Sequence, residues 1–141
     1  MKAKEFMCQV QKLDRIIENK IAEKRKWQEL AMGTTSCSNG DRVQSSASHQ
    51  KMSDAVCSYV DIESEIDCYI KKSIEKREEI INTIEGLEIV KYDVLHKIYV
   101  QGMDFSEIAD IYNKSYSWVT TIHGRALKDV QKIIDERRNN G

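Results

Sequence analysis

VQGMDFSEIADIYNKSYSWVTTIHGRALKDVQK, residues Val100 to Lys132, contains the local signals that decide the fold. Asp104 is expected to cap a short helix, because its side chain can accept from free backbone N–H groups and Glu107 follows at the capping-box spacing. Asn113 stands where that helix must end, and Asn tolerates the left-handed conformation better than most residues. Ser115 can then cap a second helix. The stretch therefore predicts two helices joined by a tight turn.

Apolar residues recur in both helices at three- and four-residue spacing, the pattern of a helix with one buried face. They are Phe105, Ile108, Ala109 and Tyr112 in the first helix, and Val119, Ile122, Ala126, Leu127, Val130 and Ile133 in the second. Ala109 is small enough to let the helices approach closely, and the short connection makes them cross steeply. Gly124, inside the second helix, indicates close approach by another helix or by a DNA backbone. This is helix-turn-helix geometry, whose DNA-binding versions place the second helix in the major groove with its N-terminal residues foremost.

Two longer amphipathic helices are predicted before this stretch. The first covers residues 4–32, and the second begins at Ser53 or Asp54 and continues to about Leu87, where Gly86 can end it. The intervening residues 33–52 are rich in Ser, Thr and Gly, which predicts a flexible loop. The two helices carry apolar stripes of comparable length and are separated by a polar loop. This pattern predicts that they fold back on each other as an antiparallel hairpin that resembles a coiled coil.

The predicted fold is therefore all-α. Residues 1–87 form the long antiparallel helical hairpin with its Ser-rich loop at 33–52, and residues 88–141 form a small helix-turn-helix domain. A further helix over residues 92–101, with Val94, Leu95, Ile98 and Tyr99 inward, completes the C-terminal bundle.

Charge is distributed unevenly along the chain. The 141 residues carry a formal net charge of −1, which does not indicate a nucleic-acid-binding protein. Residues 114–138, however, contain six cationic side chains against three carboxylates. The helix-turn-helix end is therefore basic, and its affinity for phosphate is expected to be modest and strongly salt-dependent.

Several function classes lack their sequence signals. The four cysteines, Cys8, Cys37, Cys57 and Cys68, form no C-x-x-C pair, so no metal site is predicted. His123 has no carboxylate or nucleophile placed beside it by the local sequence, and no phosphate-binding glycine loop is present. No signal peptide or membrane-spanning run is found. We expect a cytoplasmic protein that is not an enzyme and has no catalytic residues, metal or cofactor.

Candidate DNA contacts lie along the second helix of the motif. Base edges would meet its leading turns, at Ser115, Tyr116, Ser117, Trp118, Thr120 and Thr121. Phosphates would meet the cations at three- and four-residue spacing, Arg125, Lys128 and Lys132. Two alternatives stay open, since Trp118 can instead fold onto a neighbouring helix and the cations can form a solvated face. The leading turns hold no Arg, Asn or Gln, so base discrimination is expected to be modest without a partner.

The order of residues in this part of the chain resembles region four of the bacterial housekeeping-type sigma factors. The resemblance is carried by Val94-Leu95, Tyr99, Gly102, Glu107-Ile108-Ala109, Ser115, Val119 and Ala126-Leu127. The whole chain is similar to small sigma-like or late-gene regulators of phages and prophages of Gram-positive bacteria. The shared segments are LDRIIENKI, SDAVCSYVDIESEID and HGRAL.

The resemblance implies a phage or prophage transcription regulator that binds double-stranded DNA and acts with host RNA polymerase. The alternative is a protein-binding adaptor or anti-factor, in which the hairpin docks on polymerase, a repressor or a packaging component with weak or no DNA binding. The pattern does not decide between a hairpin that satisfies its own stripe and a homodimer. An electrophoretic shift assay and affinity capture after nuclease treatment distinguish the two functions.

Overall fold

The computed structural model describes residues 1–32 and 46–141, with side chains in the second range described from residue 50. Within these ranges every regular element is helical, which confirms the predicted all-α fold. No helix there combines the length and apolar character needed to cross a bilayer. The α-helices are α1 (Ala3–Met7), α2 (Gln9–Ala31), α3 (Ser46–Ile84), α4 (Ile89–Leu95), α5 (Phe105–Tyr112) and α6 (Tyr116–Asn140).

The two long helices differ in detail from the predicted ones. The helix predicted over residues 4–32 is interrupted once, at Cys8, which separates α1 from α2. The start predicted at Ser53 or Asp54 is wrong, because α3 begins at Ser46 and includes the end of the predicted loop. Asp54 lies inside the helix, where its carboxylate accepts from Gln50 Nε2 one turn earlier at 3.1 Å. The rest of the predicted loop, residues 33–45, lies outside the described residues.

The connection from α3 to the helix-turn-helix is made of short elements. Helix α3 ends at Ile84, before Gly86 and three residues before the predicted end near Leu87. The helix predicted over residues 92–101 is present as α4 followed by a wider π-helical turn, His96–Val100. Gly102 then takes a φ of 74°, a conformation that side chains rarely adopt, and redirects the chain toward α5.

Contacts divide the chain into two compact units, Met1–Leu13 with Ser73–Gly141, and Asp14–Lys72. The predicted boundary at residue 87 falls inside the first unit. The reason is packing, since the core of this unit takes side chains from both ends of the chain. Its larger buried cluster consists of Ala3, Phe6, Met7, Val10, Ile80, Ile84, Leu95, Tyr99, Ala126 and Val130.

The Asp14–Lys72 unit contains the antiparallel part of the hairpin. Lys20 Nζ lies 2.5 Å from Glu65 Oε2, and Lys24 Nζ lies 3.3 Å from Glu63 Oε1, so the partner number on α3 falls as the number on α2 rises. The Lys20 ammonium also lies 5.7 Å from the ring centroid of Tyr69. Lys20 and Lys24 lie within the apolar stripe of α2. Both therefore face α3, where they form ion pairs with its glutamates.

Candidate nucleic-acid interface

Three polar side chains specify the turn between α5 and α6. Asp104 Oδ1 accepts from the backbone N–H of Glu107 at 2.9 Å and caps α5. Asn113 adopts the left-handed conformation, with φ 51° and ψ 43°, and ends that helix. Ser115 Oγ accepts from the backbone N–H of Trp118 at 3.0 Å and caps α6. All three predictions are confirmed, and the direction in which α6 leaves the turn is thus set by local chemistry.

Packing decides which face of α6 meets solvent. Val119, Ala126 and Val130 are fully buried, and Val119 shares a second buried cluster with Ile108 and Ala109 of α5. The opposite side of α6 is exposed from its first turn onward. We call this side the α6 outer face, made of Ser117, Thr121, Gly124, Arg125, Lys128 and Lys132.

The α6 outer face is positively charged. Among the described residues, no carboxylate lies within 4.0 Å of the cationic groups of Arg125, Lys128 or Lys132. The nearby carboxylate of Asp129 is already paired, because Lys91 Nζ lies 2.7 Å from it and this hydrogen bond lowers the pKa of Asp129. The three cations of the outer face are therefore available to an anionic partner.

The threonine hydroxyls at the start of α6 have fixed roles. Thr120 Oγ1 and Thr121 Oγ1 each donate to the backbone carbonyl of Ser117, at 2.9 Å in both cases. Their protons are engaged inside the helix, so the hydroxyls offer lone pairs and methyl groups to a partner. In a major groove such groups complement the amino groups of adenine and cytosine and the thymine methyl.

The two aromatic candidates occupy different environments. Tyr116 is 56% exposed, and its ring packs edge-on against Phe105 with centroids 5.7 Å apart. Trp118 is half-buried, with its ring centroid 5.3 Å from that of Tyr112, and Lys114 Nζ lies 5.9 Å from the indole. The packing of Trp118 onto α5 corresponds to the alternative that the sequence leaves open. Tyr116 is the aromatic side chain more accessible to a ligand.

Gly124 lies open on the α6 outer face. A Cβ added at this position would meet nothing within 4 Å, so close approach by another helix, one reason predicted for this glycine, is wrong within the described chain. Glycine inside a helix costs about 1 kcal/mol relative to alanine. Close approach by a DNA backbone, the other reason given for this glycine, stays a prediction.

His123 has a structural environment on the inner side of α6. Its Nε2 lies 2.8 Å from Tyr99 Oη, and its ring centroid lies 5.1 Å from that of Phe105. Burial lowers the pKa of His123, with a further contribution from the positive charge of Lys4, and burial raises the pKa of Tyr99 to about 12. The imidazole of His123, neutral at pH 7, thus links α6 to the π-helical turn through Tyr99. It also packs against Phe105, whose ring in turn contacts Tyr116.

The N-terminal segment is the neighbour of α6 that the sequence does not predict. The backbone N–H of Ala3 donates to Gln131 Oε1 at 2.7 Å, and Gln131 Nε2 donates to the carbonyl of Met1 at 3.4 Å. Lys2 and Lys4 are exposed beside these contacts. Local sequence patterns do not reveal a contact between residues 128 positions apart. The apolar spacing instead predicts that the side chains of α1 pack within the hairpin.

Comparison with protein-family models, with curated proteins and with solved structures finds no match to this chain. The sigma-like resemblance and the candidate DNA contacts therefore rest on the residues themselves, and both remain proposals.

Proposed function

We propose that this chain is a transcription regulator of phage or prophage type that binds duplex DNA through α6 and acts together with host RNA polymerase. The observation that carries the proposal is the α6 outer face. It combines small side chains, acceptor hydroxyls and unpaired cations on one exposed side of a helix whose start is fixed by Asn113 and Ser115. A recognition helix needs these properties, because it must be rigidly placed and accessible.

The outer face has two chemically distinct parts. Ser117 and Thr121 occupy the first turns, where a helix entering the major groove meets base edges. Arg125, Lys128 and Lys132 follow on the same side, where they would neutralise phosphates and set the position of the helix. Because the leading part has no bidentate donor, we expect selectivity for A·T-containing steps to be modest, and polymerase contact would add the missing specificity.

Fluorescence anisotropy with duplex fragments from the genome that encodes the protein tests this proposal. The variant Arg125→Gln/Lys128→Gln/Lys132→Gln removes three phosphate contacts. It should reduce the slope of log affinity against log salt by about 2.7, since each contact contributes about 0.9. Between 50 and 200 mM salt, that difference amounts to a change of roughly 40-fold in the ratio of the two affinities.

The matched control is Lys26→Gln/Lys51→Gln/Lys71→Gln, which removes three exposed charges from the Asp14–Lys72 unit. It should retain the slope of the unaltered protein. Equal slopes for the two triple variants, or no salt-sensitive binding by the unaltered chain, would contradict DNA binding through α6. Substitution of Ser117 and Thr121 by alanine tests base selectivity separately, because it leaves the three cations in place.

A protein-binding adaptor is the second candidate, and the surface of α3 favours it. Val56, Val60 and Ile70 of the Asp14–Lys72 unit are between 41% and 54% exposed and recur at helical spacing. Binding of purified bacterial RNA polymerase in the absence of DNA tests this function. Val60→Ser/Ile70→Ser should abolish that binding if this part of α3 is the docking surface, whereas unchanged binding would exclude it. Light scattering on the same proteins determines whether this stripe instead joins two copies.

A further inference from the structure

We propose that the N-terminal segment Met1–Lys4 is a second DNA-contacting element, in which Lys2 and Lys4 bind backbone phosphates beside those held by α6. This inference rests on the proposed function, because it extends the same interface. It concerns residues that the sequence pattern assigns to the hairpin and that lie more than 120 positions from Lys128 and Lys132.

The segment is fixed against α6 by polar and apolar contacts. Gln131 bonds to it twice, by accepting from Ala3 N at 2.7 Å and donating to Met1 O at 3.4 Å. Ala3 and Phe6 are each 5% exposed and belong to the buried cluster that includes Ala126 and Val130. The backbone that carries the two lysines is therefore held on both sides. Little additional ordering would be needed on binding.

Gln131 also fixes the position of the segment relative to the α6 outer face. It follows Lys128 by three residues and Gly124 by seven, and these spacings place all three along one strip of the helix surface. The backbone of the N-terminal segment thus lies next to this strip, on the flank of the face proposed to meet DNA.

The charges of the segment are available. Lys2 and Lys4 are exposed, and no carboxylate of the described residues lies within 4.0 Å of either ammonium group. Glu5 is the one acidic residue between Met1 and Leu13, and its Oε2 accepts from the backbone N–H of Lys2 at 3.2 Å. Together with Arg125, Lys128 and Lys132 of α6, the two lysines would present five cations to the same partner.

Duplex DNA suits this surface better than an acidic protein patch. Helices in contact lie about 8–10 Å apart between axes, whereas the major groove is about 12 Å wide with phosphates along both edges. Cations on adjacent helices can therefore reach different phosphates while α6 lies in the groove. A Cβ added at Gly124 would meet nothing within 4 Å, so the surface of α6 is open at this position.

The test measures the salt dependence of binding for the full chain and the same duplex. Lys2→Gln/Lys4→Gln should lower the slope of log affinity against log salt by about 1.8, as two lost phosphate contacts require. Between 50 and 200 mM salt, the ratio of affinities of unaltered and variant protein should change by roughly 12-fold. Lys2→Arg/Lys4→Arg, which keeps both charges, should restore the slope.

Lys26→Gln/Lys51→Gln is the matched control, since it removes two exposed charges from the Asp14–Lys72 unit. An unchanged slope in Lys2→Gln/Lys4→Gln, or an equal reduction in this control, overturns the inference. If the triple substitution on α6 weakens binding while the N-terminal pair has no effect, only the N-terminal contact fails. If the unaltered chain does not bind duplex DNA, both this inference and the proposed function fail.

Discussion

Met7→Ala should lower the urea concentration at which the region around Trp118 unfolds, although Trp118 is 111 positions away in sequence. Met7 has no exposed surface and packs in the cluster that joins α1 to α3 and α6. Truncating a buried methionine to alanine costs about 2–5 kcal/mol through lost apolar contact and the cavity that remains. With a urea dependence of about 2 kcal/mol per molar, the unfolding midpoint should fall by about 1–2.5 M.

Tryptophan fluorescence during urea unfolding provides the assay. The chain has two tryptophans, so Trp27→Phe leaves Trp118 as the single reporter of the helix-turn-helix. Met32→Ala in the same background is the matched control. Met32 is 68% exposed, and substitutions at such positions usually change the free energy of unfolding by no more than about 0.5 kcal/mol.

The outcome distinguishes two ways of dividing the chain. If Met7→Ala lowers the midpoint reported by Trp118 and the midpoint reported by circular dichroism together, the N-terminal helix and α6 unfold as one unit. Their common core requires this result. If Met7→Ala leaves the Trp118 transition in place and alters only the far-ultraviolet circular dichroism, the packing argument is refuted. A boundary at residue 87 would then describe the folding units better.

Three further predictions concern the turn and the inner side of α6. Asn113→Ala should lower the free energy of unfolding by about 1–2 kcal/mol because of the φ of 51°, whereas Asn113→Gly should be nearly neutral, as measured by urea titration. Ser115→Ala should cost about 1 kcal/mol through loss of its bond to Trp118 N, while Ser117→Ala, at an exposed position, should have little effect. The lowered pKa of His123 means that the unfolded chain binds a proton more readily, so stability should decline as the pH falls from about 7.5 to about 5.5; His123→Gln should reduce this decline, and an identical decline in the variant would contradict the assignment.

The helix-turn-helix was predictable because its signals are local. Asp104, Asn113 and Ser115 each act on backbone groups within three or four residues, so their roles follow from residue type and spacing. The apolar spacing of α6 also separates its buried side from its exposed side. The Asp14–Lys72 hairpin follows from similar reasoning, although the lysine pairs with Glu63 and Glu65 depend on a register that the stripe alone does not determine.

The features that the sequence does not predict depend mostly on contacts between distant parts of the chain. The bonds between Gln131 and the N-terminal segment join residues at opposite ends of the sequence. The lowered pKa of Asp93 in α4 depends only in part on such a contact. Burial would raise this pKa, but hydrogen bonds from Tyr112 of α5 and from nearby Lys97 lower it. A helical period identifies the buried side of a helix, but it does not identify the partner that covers it.

The early start of α3 has a more local reason. The regular apolar period of this helix begins only after Ser53, and Ser53 and Asp54 are both residues that commonly cap helices. The polar residues between Ser46 and Met52 carry no such period, although they belong to the helix. A helix that extends beyond its apolar stripe therefore leaves little trace in the sequence at that end.

The packing of Phe6 and Met7 against Ala126 and Val130 has a consequence for how the protein is made. During synthesis the first of these residues leave the ribosome long before the last, at about 5–20 residues per second. The apolar side of α1 therefore stays exposed for several seconds, until α6 is available to cover it. Completion of the core then requires closure of a loop that contains most of the chain. The proposed DNA-binding surface would accordingly be assembled only after α6 has left the ribosome and can pack against α1.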